Sequence, residues 1–456
     1  MEGASRLPEG MATLAKGFAG QLIGPGHLAY EEARRVHNGL IDRRPSVIAR
    51  CRGAADVVAA LAFGRANGLE IAVRGGAHNV GGRATVDGGL VIDLSLMKGI
   101  HVDPRSRVAR AQGGVTWAEL NRETQAHALA TTGGVVSSTG IAGLTLGGGL
   151  GWLMGKHGLT VDNLRSVEIV TADGRILTAD EKEHGDLFWA VRGGGGNFGV
   201  ATSFEYSLHP VGPIVTGGFV AHPFERAREV LRLYRNTAAA ASDDLTLYGG
   251  LIHGPDGSKL AVIALCHCGD LRTGEAAAAP LKAFGSPAID VVGSTSYCDQ
   301  NAMLDAAYPK GALSYWKSSF LSALDDDAIA TAVDSFARAA SPMSQILFEH
   351  VHGKATSVPV AATAFPHRRV GFNMLVLSQW AELADTERGL QWGRETHAAM
   401  SRFAAKASYA NYQSDEGPEV VASAYGPNYP RLREIKSRYD PENVFHLNQN
   451  IVPMGR

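Results

Sequence analysis

Apolar and polar positions alternate along this chain in two different ways, and the change falls near residue 210. Before it, short apolar runs are interleaved with helix-period segments and glycine turns. The stretch 27–40 (HLAYEEARRVHNGL) is amphipathic and predicts a helix, and 46–52 (SVIARCR) predicts a short strand. Residues 55–68 (ADVVAALAFGRANG) predict a helix closed by Gly68. Strands are expected at 70–76, 89–97 and 109–114, and at 166–177 around a turn at Asp173-Gly174. Residues 114–129 (GVTWAELNRETQAHAL) predict a helix, with Thr116 as N-cap and Glu119 at the capping-box spacing.

Past residue 210 the glycine loops thin out, and longer strand-like runs appear at 215–222, 245–254, 259–269, 345–353 and 371–380. Helical segments at 224–240 and 326–340 lie between them. The expectation is an α+β chain with one domain over 1–210 and a second over 211–410, an antiparallel sheet covered by helices. The tail, 427–453, predicts a helix, a turn at Asp440-Pro441 and an extended Asn/Gln-rich end.

Composition narrows the function classes. The chain has 456 residues, 43 basic and 45 acidic, for a formal net charge of -2. That balance gives no electrostatic reason to invoke nucleic acid or an anionic membrane. No apolar run approaches the roughly 20 residues that span a bilayer. The N-terminal residues show no secretory leader, so a cytoplasmic protein is expected. Four cysteines in so long a chain do not make a disulfide framework. Cys266-His267-Cys268 could be a metal fragment, but its surroundings, AVIALCHCGD, read better as a buried strand ending in a turn. No metal is expected.

Glycine changes the picture. There are 55, and they crowd into a few segments before residue 200. These are Arg74-Gly75-Gly76-Ala77-His78-Asn79, then Gly140 to Gly143, then Gly147-Gly148-Gly149-Leu150-Gly151, then 192–199 (RGGGGNFG). Any one could be an ordinary turn. Together they suggest backbone brought close to a large ligand, with main-chain N–H groups facing phosphate oxygens. The last segment contains GxGxxG at Gly194, Gly196 and Gly199, but VATSFEYSLHP follows it and alternates like a strand. A dinucleotide-binding Rossmann turn must open a helix, so that reading is rejected. A P-loop pattern is also absent. His78, directly after a strand and inside a glycine turn, is the foremost candidate for chemistry.

These residues resemble a known family. VRGGAHNVGG, GIAGLTLGGGLGWL, DLFWAVRGGGGNFGV, the set Tyr409-Ala410-Asn411-Tyr412, and YDPENVFHLNQNI occur in the order found in the berberine bridge enzyme-like branch of the vanillyl-alcohol oxidase flavoproteins. The likeness runs from about residue 40 to the C-terminus. It stands nearer to bacterial 6-hydroxynicotine oxidase-like and enterocin polyketide oxidase-like members than to carbohydrate oxidases.

The resemblance implies a PCMH-type FAD-binding fold in which the tail, 411–456, returns to the first domain, with the substrate domain between. It implies FAD bonded through its 8α-methyl to His78. The cysteine that gives many relatives a second bond falls at Val136, so a single tether is expected. Carried over position by position, the cofactor set comprises Arg74, Gly75, Gly76, Ala77, His78, Asn79, Thr139, Gly140, Gly143, Gly147, Gly148, Gly149, Gly151, Trp152, Asn163, Gly196, Asn197, Val200, Asn411, Asn448 and Asn450.

For catalysis, the resemblance puts Tyr409 and Tyr412 against the flavin ring. A tyrosine acts as a base only if its pKa, near 10, is lowered. On the strand QILFEHVHG, period-2 alternation puts His350 and His352 on one face and Glu349 on the other. Histidine accepts protons near neutral pH, so the pair either lines the pocket as a candidate base or faces solvent. Tyr248 and Lys317 are weaker candidates for the pocket wall. Thr139 lies where the family sets oxygen access, and its small size favours an oxidase.

The expected activity is hydride transfer from a small organic alcohol, amine or secondary metabolite to flavin N5, with molecular oxygen as acceptor and hydrogen peroxide released. The alternatives are a monooxygenase or oxidative cyclase on the same site, and a flavin-binding protein without turnover. The sequence leaves the oligomeric state open.

Overall fold

The structure is a computed structural model that describes residues 14–414 and 417–455. Most of the N-terminal stretch read for a leader lies outside the described residues.

Three antiparallel or mixed sheets carry the site. The first is four-stranded, in the order Gln21–Ile23, Val47–Arg50, Leu90–Asp93, Ile71–Arg74, and its last three strands are parallel. Helix Ala54–Ala66 supplies the crossover and stops at Gly68, whose φ is +60°. The second is antiparallel, in the order Ile100–Asp103, Val108–Gln112, Val200–Ser207, Leu164–Val170, Ile176–Asp180. Helix Trp117–Gln125 packs beside it and starts with the expected Thr116–Glu119 capping box.

The third sheet is the largest. Its strands run in the order Ile289–Asp290, Ile214–Pro223, Lys259–His267, Leu245–His253, Gln345–Val351, Gly371–Trp380, Leu313–Leu321. All ten residues of Gly371–Trp380 are buried, so both faces of this sheet are covered. Ile346, Phe348, Met374 and Val376 face helices Ala227–Ala239, Asp326–Ala337 and Thr386–Met400 in one apolar core. Alternation sends Leu347, Glu349, Leu375 and Leu377 to the opposite face, toward the glycine loops. Cys266 and Cys268 pack into an apolar cluster at the end of Lys259–His267.

The tail packs against elements from 109–208. Val421, Tyr425, Leu432, Ile435, Tyr439 and Ile451 share a core with Trp117, Phe188 and Phe204. Helix Tyr429–Tyr439 carries Lys436, whose ammonium is fully buried and donates to Asp440 Oδ2 at 2.6 Å, Asn197 O at 2.7 Å and Phe445 O at 3.0 Å. Asn197 completes the joint by donating to Gln449 O and accepting from the Ile451 amide.

The amphipathic stretch 27–40 departs from expectation. Only Tyr30–Ala33 is helical. Asn38 ends the periodic segment by bonding other backbone. Its amide donates to Val80 O and Ser314 O, and its carbonyl accepts from Leu40 N and Ser314 N. An asparagine committed to those groups competes with helix continuation. Among the described residues, no helix is long and apolar enough to cross a membrane.

Candidate functional site

The glycine loops and the inner face of the third sheet enclose a cavity of about 1870 Å³, counting the space open at its mouth. Its lining draws on the first sheet, the glycine loops, the third sheet and the tail, an extent that suits a large cofactor beside a substrate.

One wall is backbone. Gly75, Gly76, Ala77, His78 and Asn79 meet Thr139, Gly140 and Gly143 across the cavity edge, with Gly147 and Gly196 further along. A Cβ added to Gly76 would collide with the Gly140 amide nitrogen, so the two loops touch through main chain alone. A Cβ at Gly147 would strike the Asn411 side chain, whereas one at Gly143 would meet open space. Ala77 adopts φ +57°, a left-handed conformation that alanine rarely takes. Strain held in this way at a ligand-facing turn is a mark of function.

His78 sits at that turn. Its Nε2 lies 2.9 Å from the Ser138 hydroxyl, and its Nδ1 lies 3.4 Å from Thr139 Oγ1. The ring packs on His37, centroid to centroid 4.0 Å, and His37 Nε2 is 3.1 Å from Tyr308 O. Burial, reinforced by His37 and Lys310, lowers the His78 pKa to about 3. The imidazole is therefore neutral, with a lone pair free for bonding.

The other wall is side chain. Tyr248, Leu347, Glu349, Leu375 and Leu377 project from the sheet, with Trp316 and Tyr308 at one end and Tyr409, Asn411 and Tyr412 closing toward the glycine loops. Glu349 is buried. It accepts from Asn373 Nδ2 at 2.6 Å and from the Tyr412 hydroxyl at 3.2 Å. Burial pushes its pKa up to about 7, with those two hydrogen bonds opposing the rise. Tyr409 is held by the Gly149 amide and Asn411 Nδ2, both donating to its oxygen at 2.8 Å. The rings of Tyr409 and Tyr412 meet edge to face at 4.8 Å.

Several expected site residues lie elsewhere. His350 and His352 do not line the cavity. They stack on each other at 4.3 Å on the reverse face, where His350 packs near Phe372 and His352 Nε2 is 3.3 Å from Ser242 O. Burial and the neighbouring ring lower the His350 pKa to about 3. The strand alternates as expected, but its inward face is the one that carries Glu349. The tyrosines also depart from the expectation for a base, because burial raises both phenols rather than lowering them. Lys317 lies over the Tyr315 ring and off the cavity lining.

Behind the glycine wall, Arg74 donates to Ala33 O and Ala84 O and faces Asp93 at 3.8 Å. Gly148 lies against Phe365, Gly149 against Tyr409, and Gly151 against Gly133. Trp152 stacks on the back of Tyr248 at 4.6 Å. Asn163 donates to His157 O and Leu159 O, and Val200 packs in the core. Asn197 ties down the tail, while Asn448 faces the cavity and Asn450 lies outside its lining. The buried side-chain carbonyls of Asn448 and Asn450 have no partner among the described residues.

The sequence reading passed over Glu349, although a lone carboxylate in an otherwise apolar strand was a signal, since buried charges are rarely idle. Leu375 and Leu377 gave no comparable signal, because apolar residues occupy both faces of Gly371–Trp380, and Trp316 and Tyr308 gave none because they lie among mixed polar and apolar positions.

Comparison with known proteins accords with this geometry. Residues 45–180 match the model of an FAD binding domain, and 408–452 match the "Berberine and berberine like" model. The chain is 33% identical to (R)-6-hydroxynicotine oxidase of Paenarthrobacter nicotinovorans over 96% of this chain and 97% of that protein. It is 31% identical to an FAD-linked oxidoreductase of Dictyostelium discoideum, over 90% and 89% of the two. The crystal structure of 6-hydroxy-D-nicotine oxidase from Arthrobacter nicotinovorans superposes with a TM-score of 0.88 at 29% identity, covering 99% of each chain.

Proposed function

Because the chain belongs to the berberine bridge enzyme-like family of FAD-dependent oxidoreductases with the PCMH-type fold, we propose that it is an oxidase that carries FAD on His78. Its substrate is a small organic alcohol or amine, and molecular oxygen is the final electron acceptor. The residues present fit the cofactor. The glycine loops leave main chain bare along one wall, Asn448 offers an unpartnered carbonyl, and His78 stands neutral at the cavity edge. When bound, FAD supplies the hydride acceptor and the route for electrons to oxygen.

The observation that carries the reading is Glu349, a buried carboxyl poised near neutral pH on the wall opposite the glycine loops. A base works best when its pKa lies near the working pH. In the carboxylate form Glu349 takes the proton from the substrate O–H or N–H as the adjacent carbon gives up hydride. Tyr412 and Asn373 hold the carboxylate in place through both oxygens. Tyr409, fixed by the Gly149 amide and Asn411, packs against the Tyr412 ring and keeps it upright. Leu347, Leu375 and Leu377 exclude water from the sheet side. His78 would hold the cofactor as a single tether, since Val136, which also lines the cavity, stands where the family resemblance would put the cysteine of a second one. Thr139, beside His78, leaves space for oxygen.

The test is reoxidation. Protein reduced anaerobically and then mixed with air-saturated buffer should recover its oxidised spectrum within seconds and yield one peroxide per flavin. A reduced spectrum that persists in air would overturn the oxidase reading.

A further inference from the structure

The sheet wall of the cavity is polar at one end and apolar at the other. Strand pairing sets Tyr248 opposite Glu349, and Glu349 opposite Asn373, in one row across the sheet. Two residues along, Leu347 pairs with Leu375. Two further, Leu377 pairs with Trp316. At ~3.4 Å per residue the wall runs roughly 13 Å from the carboxylate row to the tryptophan.

Polar groups are sparse along that run. The Tyr308 hydroxyl at the far end is already engaged, donating to Gln345 Oε1 at 3.1 Å. Tyr308, Leu375 and Leu377 form an apolar cluster of their own, with Leu347 and Trp316 packed against it. Two buried donors have no partner among the described residues, the Tyr248 hydroxyl beside Glu349 and Trp316 Nε1 at the opposite end.

Resting on the oxidase reading above, we infer that the substrate is a ring-bearing, largely apolar alcohol or amine, and not a carbohydrate. Its polar reacting end meets Glu349 and the Tyr248 hydroxyl. Its apolar body lies over the leucines and reaches the Trp316 ring. A sugar in the same place would set several hydroxyls against leucine with no partner to replace water, and each buried unpaired hydroxyl weakens binding about tenfold or more. An apolar body gains there instead, by about threefold for each methylene removed from water.

The test uses the FAD-loaded protein and ligands that cannot be oxidised. 2-Phenyl-2-propanol and its 4-alkyl derivatives carry no hydrogen on the carbinol carbon, and 1,5-anhydroglucitol serves as the sugar. Binding is read from the flavin absorbance and from quenching of tryptophan fluorescence. The expected result is saturable binding of the carbinols, with Kd falling about threefold per added methylene over the first two or three, and no binding of the anhydro sugar at tenfold higher concentration. Leu377→Asn should weaken the carbinols about tenfold, and the volume-conserving Leu377→Met should restore them to within about threefold. Tighter binding of the sugar than of the carbinols, or a Kd indifferent to alkyl length, would overturn the inference. Secondary alcohols of the same skeleton separate the two proposals. If the carbinols bind as expected and neither the secondary alcohols nor the corresponding amines yield peroxide, the oxidase reading fails while the substrate class stands.

Discussion

The two walls of the cavity are built on different principles. On the glycine side, the contact surface is main chain, and side chains are removed so that loops can touch, as Gly76 and Gly140 do. On the sheet side, the main chain is fully committed to ladder hydrogen bonds, and everything the cavity meets is side chain. A backbone wall suits a large ligand of fixed shape, because N–H groups repeat regularly and tolerate little change. A side-chain wall on rigid strands can change its chemistry one residue at a time without altering the frame. The glycine wall thus serves the constant partner and the sheet wall the variable one.

That contrast can be broken or sharpened by substitution. The largest effect is expected at Glu349. Glu349→Gln keeps the shape but replaces one of the two accepting oxygens with an NH2 donor and removes the base, and should lower kcat/KM by about 10²–10⁴-fold. In the unchanged protein, kcat/KM should be low in acid and rise through about pH 7 as the carboxyl ionises, and the variant should lose that rise. Stability moves the opposite way. The folded state holds a proton that the unfolded chain has released, so Glu349 contributes stability below about pH 4.5 that is lost as pH climbs through 7. An unchanged pH profile in the variant would remove Glu349 from catalysis.

Next is the joint that seats the tail on the glycine wall. Lys436→Met strands the buried Asp440 carboxylate and should cost about 3–5 kcal/mol in denaturant unfolding. A smaller effect is expected from Gly76→Ala, which drives a Cβ into the Gly140 amide. It should cost about 1–3 kcal/mol and reduce the FAD content of the purified protein, whereas Gly143→Ala, facing open space, should retain it. Smallest of all is His350→Phe on the reverse face of the catalytic strand, which should leave kcat/KM within about twofold. A large loss there would return the histidine pair to the site.

The same contrast explains what could be read from the sequence. Glycine spacing is visible in one dimension, so the turn at Gly75–His78, the close approach at Gly140 and the strand after Gly199 were all legible. So were many of the strands, since alternation and turn residues mark them locally, and the helix start at Thr116, but Leu313–Leu321, with its serines and lysine, was not among the strands expected. The sheet wall was harder. On Gln345–Val351 both faces are apolar apart from Gln345, Glu349 and His350, so alternation gave two sets without saying which faced the cavity. Only the tertiary setting decides that, because helix Asp326–Ala337 covers the side with Phe348. Trp316 and Tyr308 touch each other edge to face, but only folding brings them against Leu375 and Leu377 from a distant strand. The stretch 27–40 failed for a related reason, since Asn38 finds its partners at Val80 and Ser314.

The most direct measurement is the visible spectrum of the purified protein before and after acid precipitation, beside that of His78→Ala. A covalent flavin at His78 predicts a yellow pellet from the unchanged protein and a colourless pellet from the variant. A yellow supernatant over a colourless pellet from the unchanged protein would contradict the tether. A protein that stays colourless after incubation with FAD would contradict the cofactor assignment itself.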